Sequence, residues 1–280
     1  MTRITERGHG RPIVVVPGIQ GRCEWGLPAV DALARYGRVL TYSLADEPSS
    51  GSAWTDGAGF ENYLTQLEDV LRATGVVNPV LVGVSFGGLI AAEFVARHPG
   101  VASALVVASA PPPSWRLPGR MARYLKAPRL LAPLFWLGAP VRVYPELRAA
   151  LPDSSERWQL MQRYGLTIVA APVSTTRMAR RLRWLTAARF STGRRIELPS
   201  LIVTGEPGLE RVVPPADTLR FQDWMPAARV VTLAGTGHCG TVTRATAFAE
   251  AVADFLGDTA VAPGAAATAV VFPAEMVRAH

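Results

Sequence analysis

The chain has 280 residues, 49% of them hydrophobic and 18% charged. That is enough apolar material for a large core, and it excludes a disordered chain, a disulfide mini-protein or a lone binding motif. The 29 basic and 22 acidic residues leave +7, carried almost wholly by arginine because Lys126 is the single lysine; nucleic acid, an anionic membrane and acidic substrates all stay open as partners at this level.

Met1 to Gly10 is polar and charged with no apolar run, so no secretory signal is expected and the default location is cytoplasmic. Apolar β-branched runs then predict strands at Pro12 to Pro17, Arg38 to Leu44, Pro79 to Val84, Ala102 to Ala108, Ser200 to Thr204 and Arg229 to Leu233, each read as buried on both faces. Helical spacing falls between them, at Phe60 to Ala73, Gly88 to Arg97 and Ala245 to Leu256. The alternation implies βαβ units and a mostly parallel α/β sheet of about six strands flanked by helices.

The rhythm breaks from Pro111 to Leu198, where strand signals stop and short helix-like pieces rich in proline, tryptophan and arginine take over; this reads as an insertion. The domain reading is therefore a core from 1–110 and 199–257, an insertion at 111–198, and a mobile tail at 258–280, with a docked strand at Thr268 to Phe272 as the minority view. The apolar uncharged stretch around Pro99 to Ser114 falls short of the roughly 20 residues of a membrane helix, and no transmembrane segment is predicted. Cys23 and Cys239 are too few for a zinc site or a disulfide framework and are expected to stay thiols.

The chemistry enters at Gly83-Val84-Ser85-Phe86-Gly87-Gly88, which follows the run PVLV and opens a helix. This is the G-x-S-x-G elbow in its strand-turn-helix setting, where small neighbours let the backbone close on itself and the helix N-terminus favours developing negative charge. A serine hydroxyl is a weak nucleophile without a base. Of the four histidines, His9, His98 and His280 have capping or solvated readings. His238, in Gly235-Thr236-Gly237-His238, follows the last strand and so falls at the same sheet edge as Ser85.

With VGVSFGG around Ser85, GTGH at His238 and Pro17-Gly18-Ile19-Gln20-Gly21 after the first strand, the chain resembles the α/β-hydrolase superfamily, in its serine-nucleophile branch with a helical cap, over roughly Pro12 to Leu256. The resemblance makes 111–198 the cap and implies that the first two family strands are missing or reduced. It places the oxyanion-hole donors at the backbone N–H groups of Ile19 and Phe86, with Pro17 standing where the family usually has histidine. The third catalytic residue is less direct: the stretch Gly205 to Pro214 holds no aspartate. Alignment back from Val213-Pro214 puts Glu210 in the acid's place, with Glu206, Asp46, Asp223 or no acid at all as alternatives. Serine at the elbow argues against the dehalogenases and epoxide hydrolases of the fold, which use aspartate there.

The implied chemistry is a serine hydrolase of carboxylic esters, working through an acyl-enzyme with neither metal nor organic cofactor. Alternatives are a thioesterase on a carrier-bound acyl chain and a non-catalytic binding protein; lyases, C–C hydrolases and cofactor-free peroxidases resemble the same pattern. Substrate choice is expected in the insertion, which holds 16 basic and 4 acidic residues while the remainder is net −5. Arg177, Arg180, Arg181, Arg183, Arg189, Arg194 and Arg195 cluster without an intervening acid and would steer an anionic substrate, an acidic carrier protein or an anionic membrane surface; the bland alternative is a solvated helix face. No nucleic-acid-reading motif accompanies the charge. Trp115, Trp136 and Trp184 are the candidate substrate-binding side chains, lining a pocket for a medium, apolar acyl group.

Overall fold

The computed structural model describes residues 1–113, 115–191 and 194–260. The chain opens with β1 (Ile4–Arg7) and β2 (Pro12–Val16), then α1 (Leu27–Leu33), β3 (Arg38–Tyr42), α2 (Glu61–Thr74), β4 (Val80–Val84), α3 (Phe86–Arg97) and β5 (Ala104–Ala108). Four consecutive helices follow, α4 (Gly119–Lys126), α5 (Ala132–Ala150), α6 (Ser154–Ala170) and α7 (Thr175–Ala187). The sheet resumes with β6 (Ser200–Thr204), α8 (Pro215–Leu219), β7 (Arg229–Thr232), α9 (Gly240–Thr243) and α10 (Ala245–Ala260).

All seven strands join one sheet in the order β1-β3-β2-β4-β5-β6-β7, parallel throughout except for β1 against β3. Side chains of a strand alternate between faces, and here each face has its own core. Ile13, Val15, Val80 and Val82 pack with Val30, Leu33, Phe248 and Val252 of α1 and α10. Val14, Val16 and Leu81 pack with Leu67, Val70, Leu89 and Phe94 of α2 and α3. From β2 the chain steps to β3 on one side and then crosses back to β4 on the other. That reversal opens a crevice at the carboxyl ends of β2 and β4, where α/β sheets bind ligands.

The sheet has seven strands rather than about six. The extra one, β1, lies in the segment read as a polar arm: as a half-exposed edge strand it carries no apolar run. It is held by its register with β3 and by a two-bond contact from Arg38 to Glu6 at 2.8 and 2.9 Å. At the opposite edge β7 is largely exposed instead of buried on both faces. The pieces predicted short between β5 and β6 are longer: α5 runs 19 residues through Pro140 and Pro145, and α6 runs 17 from an Asp153 side chain that caps Ser155 and Glu156. α10 continues to Ala260, past the point where the tail was expected to begin; the rest of that tail, including Thr268 to Phe272, lies outside the described residues. Among the described residues no helix is long and apolar enough to cross a membrane.

Candidate active site

Ser85 occupies the one-residue turn from β4 into α3 with φ 53° and ψ −121°, a conformation that a residue with a side chain holds only when its surroundings impose it. Two bonds impose it. The Ser85 N–H donates to the Ala108 carbonyl at 2.8 Å, and the Ser85 carbonyl accepts from Gly88 N–H at 2.9 Å. The flanking glycines are required by contact: a Cβ on Gly83 would strike the Gly87–Gly88 backbone, and one on Gly87 would strike the Val16 carbonyl and lie 2.6 Å from that of Pro17. The strand, turn and helix can therefore close only with hydrogen at these positions.

The Pro17 to Gly21 loop runs beside the serine, since a Cβ on Gly18 would lie 3.4 Å from Ser85 Cβ. Ile19 is the next residue of this loop after Gly18. Phe86, as the first residue of α3, has a backbone N–H with no partner in its own helix.

His238 follows β7. Its Nε2 lies 3.1 Å from Ser85 Oγ and its Nδ1 lies 3.2 Å from Glu210 Oε2. The other Glu210 oxygen accepts from the N–H groups of Val212 and Val213 at 2.8 and 3.1 Å, so the carboxylate is locked in orientation. Burial pushes the Glu210 carboxyl up, but the His238 charge, the His238 hydrogen bond and these two N–H donors outweigh it and hold the group below the usual carboxylate range. For His238 burial acts downward, and the negative charge of Glu210, its hydrogen bond and the charge of Glu146 outweigh it, raising the imidazole above its ordinary 6.5.

The other carboxylates weighed for this place have different partners. Glu206 accepts the Gly235 N–H at 2.8 Å and braces the histidine loop. Asp46 binds Arg180 and Arg181, and Asp223 is exposed. Gly205 and Gly237 let the two loops touch, since a Cβ on Gly205 would lie 2.6 Å from Gly237 Cα.

Two side chains from the helices between β5 and β6 reach this centre, and neither was singled out for the role from sequence. Glu146 of α5 is buried; its Oε2 accepts the Cys239 N–H at 3.1 Å, while Oε1 has no partner. Burial raises its carboxyl against the opposing pull of the Cys239 and Gly237 N–H groups and the His238 charge. Arg181 of α7 is fully buried and donates to the Ile19 carbonyl at 2.7 Å, to Asp46 at 2.6 and 3.0 Å and to Glu47 at 2.5 Å. Its guanidinium occupies the space a side chain on Gly21 would need. Arg177 and Arg180 pair with Glu47 and Asp46 at 3.0 and 3.1 Å. Three of the seven clustered arginines are thus bound to core carboxylates, a match visible in sequence only as opposite net charges of the two regions.

The three tryptophans separate. Trp115 is buried, with its indole N–H donating to Asp217 at 3.1 Å. Trp184 stands in an aromatic group with Trp54 and Tyr63 that reaches Phe86 through Tyr63, and the Arg180 guanidinium lies over its ring at 5.1 Å. Trp136 packs on Phe135 of α5. Cys23 and Cys239 are free thiols, and burial, aided by neighbouring carboxylates, pushes both up, away from thiolate reactivity. Among the described residues no group of three or more His, Cys, Asp or Glu side chains could hold a metal ion.

Residues 13–251 match the alpha/beta hydrolase family over most of the chain. The protein belongs to the alpha/beta hydrolase family. It is 25% identical over 251 residues to the AB hydrolase superfamily protein YisY of Bacillus subtilis strain 168, covering 84% of this chain and 87% of that one. Among solved structures, the esterase EaEST of Exiguobacterium antarcticum superimposes with a TM-score of 0.74 at 16% identity, covering 91% of this chain and 94% of that one. The enol-lactonase of Burkholderia xenovorans LB400 gives 0.68 at 19%, covering 91% and 96%. At these identities the two structures show the shared fold.

Proposed function

We propose that the protein is a serine hydrolase that cleaves a carboxylic ester through an acyl-enzyme, with Ser85 as nucleophile, His238 as base and Glu210 as the acid that orients it. The observation that carries this reading is the continuous chain from Ser85 Oγ to His238 Nε2 and from His238 Nδ1 to Glu210 Oε2, at 3.1 and 3.2 Å. Residues 111–198 are the cap over a core formed by 1–110 and 199–257. The esterase and lactonase likenesses are consistent with acyl chemistry.

In this mechanism His238 Nε2 takes the Ser85 proton as Oγ attacks the acyl carbon. The N–H groups of Ile19 and Phe86 hold the resulting oxyanion, and losing one such donor typically costs on the order of 10²- to 10³-fold in rate. His238 then protonates the departing alcohol oxygen, the ester C–O bond breaks, and the acyl group stays on Ser85. Water attacks the acyl carbon, giving a proton to His238, which returns it to Ser85 Oγ as the acid leaves. A glutamate serves in the third place because its second oxygen is fixed by Val212 and Val213. The apolar side chains about Phe86 and Trp184 support an apolar acyl group.

The test is a panel of p-nitrophenyl esters and acyl thioesters against the Ser85→Ala protein, with fluorophosphonate labelling as the second readout. Labelling of the parent alone, with ester turnover abolished by Ser85→Ala, is the expected result. A parent that neither labels nor turns over any substrate of the panel is a binding protein on this fold. Thioesters preferred over esters of the same acyl chain would replace the ester by the thioester reading.

A further inference from the structure

Ten of the fourteen exposed large apolar side chains among the described residues fall between Leu130 and Val169. On α5 and the turn before it, Leu130, Leu134, Leu137, Val141 and Tyr144 recur at helical spacing and are 80, 60, 77, 73 and 51% exposed. They form one outward stripe, while Glu146 and Ala150, the buried residues of α5, lie on the other side. Fourteen residues of helix make that stripe about 21 Å long. α6 adds further exposed apolar side chains, Trp158, Met161, Leu166, Ile168 and Val169. Monomeric proteins rarely leave so much apolar surface uncovered.

The charges around the stripe indicate what covers it. From Trp115 to Leu151 the sequence has seven basic residues and a single acid, Glu146, which is buried. Exposed Arg129 and Arg148 stand at the two ends of the stripe. A second copy docked on the same face would bring these arginines against their own kind, with no exposed carboxylate on the stripe to offset them. A bilayer of anionic lipids answers both halves of the surface: hydrocarbon receives the leucines and valines, and headgroup phosphates meet arginines whose stems lie along the apolar boundary. We infer that α5 and α6 form a membrane-binding face that docks the protein on an anionic lipid surface. The inference stands apart from the ester reading, since no residue of the stripe belongs to the Ser85 centre.

The test is co-sedimentation of the full chain with vesicles of phosphatidylcholine and with vesicles containing about 30% phosphatidylglycerol. Two double variants are compared, Leu137→Gln with Val141→Gln, and Arg129→Gln with Arg148→Gln. All four side chains are exposed, so thermal unfolding should match the parent. The parent should bind the anionic vesicles at least about tenfold more tightly than the neutral ones, and each double variant should lose about tenfold. Tryptophan emission should shift to the blue on binding, and by less in Trp158→Phe. Repeating the assay with Ser85→Ala should give parental binding, so the outcome is independent of whether the protein is an esterase. No association with either vesicle overturns the inference. So does anionic binding unchanged in the Leu137 and Val141 variant, which would be charge alone, and so does a dimer in light scattering that this variant dissolves.

Discussion

Arg181→Met tests whether the helical segment and the serine centre are one mechanical unit. Arg181 makes four hydrogen bonds, to the Ile19 carbonyl at 2.7 Å, to Asp46 at 2.6 and 3.0 Å and to Glu47 at 2.5 Å, while Arg177 shares the same Glu47 oxygen and Arg180 takes the other oxygen of Asp46. Methionine fills most of the volume but removes the charge from between two buried acids. Breaking a buried ion pair by removing one partner costs about 3–5 kcal/mol. Asp46 keeps Arg180 and Glu47 keeps Arg177, so the expected loss lies at the lower end, about 3 kcal/mol. Arg181→Lys keeps the charge but has no planar fork to span Ile19 and the carboxylates at once, and should cost about 1–2 kcal/mol. Because the Ile19 carbonyl loses its tether in both, kcat on a soluble ester should fall more than KM rises. Urea unfolding followed by tryptophan emission gives the first number and steady-state kinetics the second. An Arg181→Met protein within 1 kcal/mol of the parent and with full kcat would refute the reasoning.

Glu210→Gln removes the charge that raises the His238 pKa while keeping a similar shape. kcat should drop by roughly 10³- to 10⁴-fold, with measurement on a p-nitrophenyl ester. His238 must be neutral to accept the Ser85 proton, so in the parent kcat/KM should fall as pH drops through a value above 6.5, because the folded imidazole is raised. Glu146→Gln retains an acceptor for the Cys239 N–H but removes one of the negative charges that raise His238, so that acid limb should move to lower pH with kcat at the plateau nearly unchanged. An unmoved limb would show that Glu146 does not act on the histidine. Since burial raises the Glu146 carboxyl, its ionisation opposes folding, and the stability it contributes at low pH is lost as pH rises through its folded value; Glu146→Gln should therefore unfold at a higher temperature than the parent in alkaline buffer. Gly87→Ala pushes a methyl into the Val16 and Pro17 carbonyls and should destabilise by about 1–3 kcal/mol, seen in the same urea titration.

What could be read from sequence was whatever rests on local pattern. The central strands are apolar on both faces, so β2, β4, β5 and β6 were legible as runs. Ser85 was legible because an elbow needs glycine at fixed offsets, and His238 because it follows the last strand. Glu210 was reachable only by counting back from Val213-Pro214, since its partners lie 28 residues away at His238 and next door at Val212. β1 was missed because an edge strand has no buried face to mark it. Glu146 and Arg181 were missed as members of the site for a different reason: each is defined by a contact more than ninety positions distant, to Cys239 and to Ile19, and a lone acid on an apolar helix or one arginine among seven carries no local sign of that.

The net charge of +7 acquires a division of labour from these contacts. Part of the basic excess is internal, because Arg177, Arg180 and Arg181 are answered by Asp46 and Glu47 on the strand side, whose own region is net acidic. That pairing binds α7 to the loop beside Ser85. Exposed Arg129 and Arg148, by α5, border an apolar stripe instead of a polar one. A helix with a solvated basic face would carry polar residues between its arginines; α5 carries leucine and valine there. The same segment therefore has one side fastened to the site, through the Glu146 hydrogen bond to Cys239 and the Arg181 ion pairs, and another side left apolar and positive. Any partner held on the outer side would be mechanically one helix away from the loops that carry His238 and Ile19.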